Sequence, residues 1–372
     1  METSCDSSKK FRLLSELVLG SSSIYSAWTE GPGSPQAQIR FATSELRPKE
    51  LSALEALASS NHVVLRAFEP LRVRLADAGE RDAEQQVSDA ICRERKRIAH
   101  ALDALANICS TLENDGCAVT VIKSLDHWPD LGSDIDLYTD AEGSQVVSLM
   151  RRHFNATLAD RSWGDRLANK WNFIVPGLPE LVEVHAGRLG QTGEQTATTR
   201  SLTRRSRHAD LGGHTFRVPA PEDRILISTL QRMYRHFYIR LCDVVDNARL
   251  LDQSAVDLDY LRSLGTKAGI WEGIAAYLVI ISQYVEKYRG SGISLPNYVT
   301  GAARFGAGQV HYRRNFLRLP LLPHSLNLYA AELRNLVSRG DLRNGFRLSL
   351  LPCLATAAAL EMKLTGSDKG IW

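Results

Sequence analysis

The sequence predicts an α+β fold in which a small mixed sheet is flanked by N-terminal and C-terminal helical regions. Three observations predict it. Apolar spacing is helical from Pro48 to about Asp115. β-branched and alternating segments begin at Cys117, and helical spacing returns beyond residue 218. We therefore expect a helical region at 1–104, a core at 105–218 and a helical domain at 219–372.

The N-terminal region is predicted to hold a short helix followed by a longer helical stretch. Residues 1–10 are polar and show no clear element, residues 11–28 have helical spacing, and a Gly/Pro-rich loop, TEGPGSPQAQ, follows. The clearest helix spans about 82–114, where apolar residues recur at steps of three, four or seven. Gly116 stands where a helix C-terminal glycine is expected.

The core is predicted to contain four strands and one helix. CAVTVIKS, DIDLYT, KWNFIV and ELVEVHA are typical of strands, whereas EGSQVVSLMRRHF has helical spacing. Beyond the core, a long amphipathic stretch is predicted to begin its helix at Pro221. Its arginines, Arg224, Arg232 and Arg235, are expected on an exposed helix face. The chain contains no GxGxxG or Walker sequence.

Composition favours a globular protein with small partners. The 372 residues are 44% hydrophobic, and 45 basic against 42 acidic residues give a net charge of +3. That charge favours a small molecule or peptide over a long nucleic acid or a membrane surface. Six scattered cysteines without C-x-x-C spacing, and no signal-peptide pattern at the start, predict reduced thiols in a cytoplasmic protein. The longest apolar runs fall short of the about 20 residues that a membrane span needs.

Two aspartates in the second predicted strand are the first candidates for chemistry. Asp134 and Asp136 are two residues apart, so they share a strand face at about 6.6 Å along the chain. Two ionised carboxylates at that distance repel by roughly 2 kcal/mol at an effective dielectric constant of about 20. Mg²⁺, which prefers oxygen ligands, would relieve this repulsion. If the strand of Glu183 pairs with theirs, three carboxylates become the predicted metal ligands and catalytic residues, enough for two Mg²⁺ ions.

The turn before these aspartates is a candidate phosphate site. Lys123 and Ser124 end the first predicted strand, where backbone N–H groups, a hydroxyl and an ammonium could meet phosphate oxygens. Gly132 and Ser133 directly precede the acid pair and suit a close approach of the backbone to a ligand.

These motifs together resemble the polymerase-β-type nucleotidyltransferase superfamily. That superfamily has an apolar residue and Gly-Gly or Gly-Ser, a gap, an acid–apolar–acid pair and a later third acid. Within it, the chain resembles a bacterial nucleotidyltransferase family with Lys-Gly, DIDLL and acid-x-His motifs; here these are IKS, DIDL and VEVH. The likeness covers roughly residues 105–255. It departs at Ser124, where the family has Gly, and in DLGS, which lacks an arginine before the acids.

The resemblance implies a nucleotidyltransferase core that moves a nucleoside monophosphate from an NTP to an acceptor and releases pyrophosphate. It implies Mg²⁺ as cofactor, held by Asp134, Asp136 and Glu183. It also implies nucleotide contacts from Lys123 and His185. Arg240 and Asp246 match a later helix motif of that family, and we expect them to have structural partners in the core.

Other interpretations remain open at the level of sequence. A non-catalytic nucleotide-binding or regulatory protein of the same fold would carry the same motifs. DxD also occurs in metal-dependent glycosyltransferases, which have several alternating strands and helices before the motif, and in phosphatases of the haloacid dehalogenase type. His185 is also compatible with a hydrogen-bonded core position.

Overall fold

Helices precede and follow a central mixed sheet in the structure, a computed structural model that describes residues 4–20, 47–196, 198–253 and 256–353. The predicted combination of helices with a mixed sheet is therefore confirmed. None of the helices in these ranges is long and apolar enough to cross a bilayer.

The described residues of the N-terminal part form four helices: α1 (Ser4–Leu19), α2 (Pro48–Ser60), α3 (Val64–Ala78) and α4 (Arg81–Asn114). The prediction for 82–114 is confirmed, and Gly116 follows this helix with a φ of +77°. The prediction for 11–28 placed the first helix too late, because polar residues of the segment 4–10 already belong to α1. The rest of that stretch, and the predicted Gly/Pro-rich loop, lie outside the described residues.

The central sheet has five strands: β1 (Val119–Ile122), β2 (Asp134–Thr139), β3 (Thr157–Leu158), β4 (Lys170–Ile174) and β5 (Leu181–Ala186). Their order is β1-β2-β5-β4-β3. β2 and β5 are parallel, and the other neighbours are antiparallel. Two helices lie between strands, α5 (Gly143–Phe154) and α6 (Trp163–Leu167). The four predicted strands and the predicted helix are all present, and β3 was not predicted.

The two faces of this sheet differ in polarity because side chains alternate along each strand. Five apolar side chains of the three central strands are fully buried on one face: Ile135, Leu137, Phe173, Val182 and Val184. Asp134 and Asp136 alternate with the first two of these residues, so they belong to the opposite face. Burial of the apolar face thus fixes the register and turns both acids toward the other side.

The remaining elements complete the C-terminal part. A hairpin of β6 (Arg207–Leu211) and β7 (His214–Val218) follows α7 (Thr199–Arg204). The larger helices are α8 (Pro221–Thr229), α9 (Leu241–Asp252), α10 (Leu258–Ala268), α11 (Trp271–Arg289), α13 (Leu326–Ser338) and α14 (Leu342–Ser349), and a short α12 (Asn297–Thr300) lies among them. A small sheet joins β8 (Tyr238–Ile239), β9 (His311–Arg313) and β10 (Phe316–Arg318).

The predicted long helical stretch after Pro221 is interrupted. After α8 the chain forms a π-helical segment, Leu230–His236, then passes through Phe237 with a left-handed φ of 54° into β8 before α9 begins. The expectation of exposed arginines was wrong for Arg232, which is 1% exposed and lies 2.7 Å from the Asp243 carboxylate. Spacing alone could not show this, because the partner carboxylate comes from the next helix.

Arg224 and Arg235 also depart from the prediction of an exposed helix face. The Arg224 side chain is only 22% exposed and ion-pairs with Asp126 at 2.6 Å. Arg235 is equally shielded and lies 3.7 Å from Asp165. Asp126 and Asp165 both lie in the segment 105–218, so these ion pairs connect the C-terminal helices to the region of the central sheet.

Candidate functional site

The strand pairing brings Glu183 beside the aspartate pair. In the parallel register of β2 and β5, Asp136 lies opposite Glu183 and Asp134 lies opposite Leu181. Ligand atoms of Asp136, Glu183 and His185 lie within 4.8 Å of one another. Asp134 lies two residues before Asp136, at the start of β2, where Ser133 Oγ donates to its Oδ2 at 3.3 Å. The predicted acids therefore converge on one sheet face, with Asp136 and Glu183 at the centre.

Two ammonium groups offset most of the negative charge of this cluster. Lys123 Nζ is ion-paired with Asp136 Oδ1. Lys170 Nζ lies 2.5 Å from Glu183 Oε2 and 3.7 Å from Asp165 Oδ1. Three carboxylates and two ammonium groups leave one net negative charge. Lys170 had no assigned role in the sequence, because its partnership with Glu183 depends on how β4 pairs with β5.

The carboxylates differ in how their surroundings affect ionisation. Burial by itself would raise the pKa of Asp136, but Lys123 and His185 together hold that pKa well below its usual range. Burial and the charge of Asp136 raise the pKa of Glu183, against the effect of Lys170. Burial and Asp136 also raise the pKa of Asp134. Negative charge is therefore most strongly favoured on Asp136, the central member.

His185 lies next to Asp136 as a neutral ring. Its Nε2 is 3.3 Å from Asp136 Oδ1. Burial lowers the pKa of His185 to about 4, with a further contribution from the nearby Lys123 charge, although Asp136 acts in the opposite direction. Its buried Nδ1 has no hydrogen-bond partner among the described residues. The histidine is both a core residue of β5 and a potential ligand.

Lys123 has an unusual backbone conformation. Its φ of 60° and ψ of −60° place it in a region that non-glycine residues rarely adopt. Such strain costs on the order of 1–3 kcal/mol and persists only where the surrounding structure enforces it. Here it turns the chain from β1 into a 3₁₀ turn, Ser124–His127, and leaves the ammonium beside Asp136.

Ser124 connects this turn to the start of β2. Its hydroxyl donates to the carbonyl of Asp134 at 3.0 Å and accepts from the N–H of Asp136 at 2.8 Å. The sequence suggested that the hydroxyl meets phosphate, but its one proton is donated within the chain. Ser124 therefore positions the two aspartates, and Lys123 is the side chain of this turn that can reach an anion.

Gly132 does not need to be glycine for contacts within the chain. A Cβ there would meet its nearest neighbour at 3.6 Å, an ordinary contact. Its carbonyl accepts from Arg97 Nη1 at 3.3 Å, and the carbonyl of Leu131 accepts from Arg97 Nη2 at 3.0 Å. Arg97 comes from α4 and is also 2.6 Å from Glu180. It thus fixes the loop before β2, a role that the sequence did not reveal.

A second group of buried charged side chains includes His127, the last residue of the 3₁₀ turn. His127 Nδ1 is 2.5 Å from Asp246 Oδ2, and Arg66 Nη1 is 2.6 Å from Asp246 Oδ1. Arg240 donates from Nη1 to His62 Nε2 at 2.6 Å. The expectation that Arg240 and Asp246 have structural partners is confirmed.

A cleft runs between the Lys123 turn and the C-terminal helices. Two cavities of roughly 310 and 370 Å³, open mouths included, share Lys123 and Gln231 in their walls. The first also contains Asp126, Arg224, Ser228 and Asn247, and the second contains His185, Leu189, Ile227 and Arg235. Neither cavity is lined by Asp134, Asp136 or Glu183; Lys123 and His185, the neighbours of Asp136, lie between these acids and the open cleft, whose walls are both polar and apolar.

The donor set fits a divalent cation. Asp134, Asp136 and Glu183 offer the carboxylate oxygens that Mg²⁺ prefers, and the central two are within joint reach of one ion. No family model matches the chain, and no curated protein matches it. The fold and the geometry of the site are therefore the basis for a functional conclusion.

Proposed function

We propose that this protein is a magnesium-dependent nucleotidyltransferase, with its nucleotidyltransferase core around the five-stranded sheet. It would move a nucleoside monophosphate from an NTP to a small-molecule or peptide acceptor. The observation that carries the proposal is the pairing of Asp136 with Glu183 on adjacent parallel strands. A strained turn follows the neighbouring strand β1, and its Lys123 is ion-paired with Asp136.

The position of each side chain in the site suggests its role. Asp134, Asp136 and Glu183 would hold magnesium, which supplies charge neutralisation at the triphosphate and polarises the reacting oxygens. Lys123, which lines both cavities, would bind the β- and γ-phosphates. Neutral His185 supports Asp136 and would adjoin the nucleotide. Gly132 and Ser133 would bring the backbone near the phosphates, and Arg97 keeps their loop in place.

The transfer itself requires an acceptor hydroxyl beside Glu183. A new bond forms between that oxygen and the α-phosphorus, while the bond to the β-phosphate bridging oxygen breaks. Pyrophosphate leaves with the bonding electron pair, and the hydroxyl proton passes to Glu183 as base. The acceptor would lie in the cleft against α8 and the π-helical segment. Its walls carry charged, polar and apolar side chains, which suit an acceptor with both polar and apolar groups.

The direct test is a transfer assay. Purified protein is incubated with each NTP labelled at the α-phosphate, together with a cell extract as acceptor source. Label should move to an extract component, and pyrophosphate should appear. Asp136→Asn should abolish both signals, whereas Asp82→Asn, at an exposed position, should leave them unchanged. Equal activity of the two variants would refute the proposed site.

A non-catalytic nucleotide-binding protein is the second candidate. It is favoured by one observation: Lys123 and Lys170 already neutralise Asp136 and Glu183 without any metal. Such a protein would bind nucleotides equally well with and without Mg²⁺ and release no pyrophosphate with any acceptor. The glycosyltransferase alternative has less support, since one strand, β1, precedes the acid pair in the described residues.

A further inference from the structure

Lys170 is a buried cation fixed against the third acid of the site. Its side chain is 7% exposed, and its ammonium lies between Glu183 at 2.5 Å and Asp165 at 3.7 Å. Asp165 is itself anchored, because it accepts from the N–H of Ser162 at 3.1 Å. A buried ammonium that contacts two carboxylates has little freedom to leave.

The register of the sheet determines where this cation points. β4 pairs with β5 so that Lys170 lies opposite His185 and Asn172 lies opposite Glu183. Residues directly opposite one another in paired strands share a face. Asp136, Glu183 and Asn172 therefore form one row across three strands, and Lys170 reaches this row from the neighbouring position.

Asn172 marks the same place as a site for a ligand. It is buried, and its Oδ1 has no hydrogen-bond partner in the described part of the chain. Buried polar atoms are nearly always satisfied, so an unpartnered amide oxygen indicates a group that the protein alone does not supply. A hydrogen-bond donor of the acceptor, other than the hydroxyl whose single proton passes to Glu183, would be such a group.

Lys123 and Lys170 differ in freedom to move. Lys123 lines both cavities and is only partly buried, so its ammonium can leave Asp136 and bind a phosphate. Lys170 lines neither cavity and is fixed on a central strand. A divalent ion on Glu183 would have to stand beside this fixed ammonium, and like charges at that range repel strongly.

We propose that Lys170 replaces one of the two expected metal ions. The site would load a single divalent cation, at Asp134 and Asp136 with the triphosphate, while the Lys170 ammonium supplies the positive charge at Glu183. This inference rests on the proposed nucleotidyl transfer and revises both its metal count and its ligands, because Glu183 then holds the Lys170 ammonium instead of a metal ion. It makes Lys170 a positioning residue that acts through Glu183.

The test counts metal ions rather than turnover. Mn²⁺ is titrated into the full chain with a non-hydrolysable α,β-methylene NTP analogue, and bound ions are counted by electron paramagnetic resonance. Wild type should bind one Mn²⁺ per protein–nucleotide complex. Lys170→Met should gain a second ion, with at least tenfold tighter binding at that second position than wild type. Lys267→Met, at an exposed position, should match wild type.

Each possible result of this titration supports or contradicts the single-ion proposal. Two ions of similar affinity in wild type would overturn the single-ion proposal without any variant, and would leave the transfer reaction standing. Binding of neither Mn²⁺ nor nucleotide by wild type would overturn the transfer reaction as well. One ion in a folded Lys170→Met would also refute the role of Lys170. If that variant does not fold, Lys170→Met combined with Asp165→Asn removes the second carboxylate that faced the ammonium, leaves Glu183 free for the added ion and gives the same readout.

Discussion

Arg66 and Asp246 form an ion pair of 2.6 Å although they are 180 residues apart in the sequence. The same guanidinium holds Asp130 at 2.9 Å, in the loop between the Lys123 turn and β2. One buried arginine on α3 therefore joins the N-terminal helices, the loop before the acids and helix α9. His127, at the end of the 3₁₀ turn, completes the contact with Asp246. The position of the site thus depends on all three parts of the chain.

Replacing Arg66 should destabilise the protein strongly. Arg66→Met leaves the buried carboxylate of Asp130 without its cation and Asp246 with His127 alone, and loss of one partner of a buried pair costs about 3–5 kcal/mol. The free energy of unfolding is measured by urea titration. Arg93→Met, which breaks the exposed pair with Glu55, should cost about 0–1 kcal/mol. Similar costs for the two variants would contradict the joining role of Arg66.

The sequence predicted most secondary-structure elements, but it did not show which charged side chains pair between them. Helix α4 was predictable because its apolar residues repeat with the helical period. The acids of β2 could be placed on one face because strands alternate. Arg97, Arg232 and Lys170 could not be assigned, since each meets its carboxylate through the packing of another element.

The strained backbone at Lys123 predicts that glycine at this position gives a more stable protein than alanine, the reverse of the order inside a helix. Lys123→Gly and Lys123→Ala both lose the ion pair with Asp136, so that loss cancels in their comparison. Glycine adopts a φ of 60° without steric cost, whereas alanine does not. The glycine variant should therefore be more stable than the alanine variant by about 1 kcal/mol. Urea unfolding of the pair measures this difference.

Lys96 provides the matched control, because it is exposed in the interior of α4. There the order should reverse, with Lys96→Ala more stable than Lys96→Gly by about 1 kcal/mol. Both Lys123 variants should also bind NTP more weakly than wild type. An alanine at 123 as stable as the glycine would mean that the turn relaxes without the lysine.

Arg97 should affect metal binding although it touches none of the three acids. It holds the carbonyls of Leu131 and Gly132, which precede the first aspartate. Groups that orient metal ligands typically change affinity by about 10- to 100-fold when removed. Arg97→Met should therefore weaken Mn²⁺ binding in this range, as measured by titration with nucleotide present. Arg95→Met, which loses only an exposed pair with Glu69, should retain wild-type affinity. Equal affinities would assign Arg97 to stability alone.

Glu332 on α13 should make the fold less stable as pH rises. Burial and the neighbouring Glu194 raise the pKa of Glu332 well above its ordinary value, against the hydrogen bond donated by Gln195. Burial raises the pKa of Glu194 as well. The unfolded chain loses these protons near pH 4.3, whereas the folded protein retains them to higher pH.

Folding therefore takes up protons in the window above the unfolded pKa, and the free energy of unfolding falls with pH there by up to about 1.4 kcal/mol per pH unit and proton. Glu332→Gln removes one of these protons from the balance and relieves the repulsion with Glu194. Its unfolding free energy should fall less steeply than that of wild type between about pH 5 and pH 7. The contributions of other titrating groups are common to both proteins. Urea midpoints across this range measure the slopes, and Glu286→Gln, at an exposed position, should follow wild type. Parallel curves for wild type and Glu332→Gln would show that Glu332 is ionised in the fold throughout.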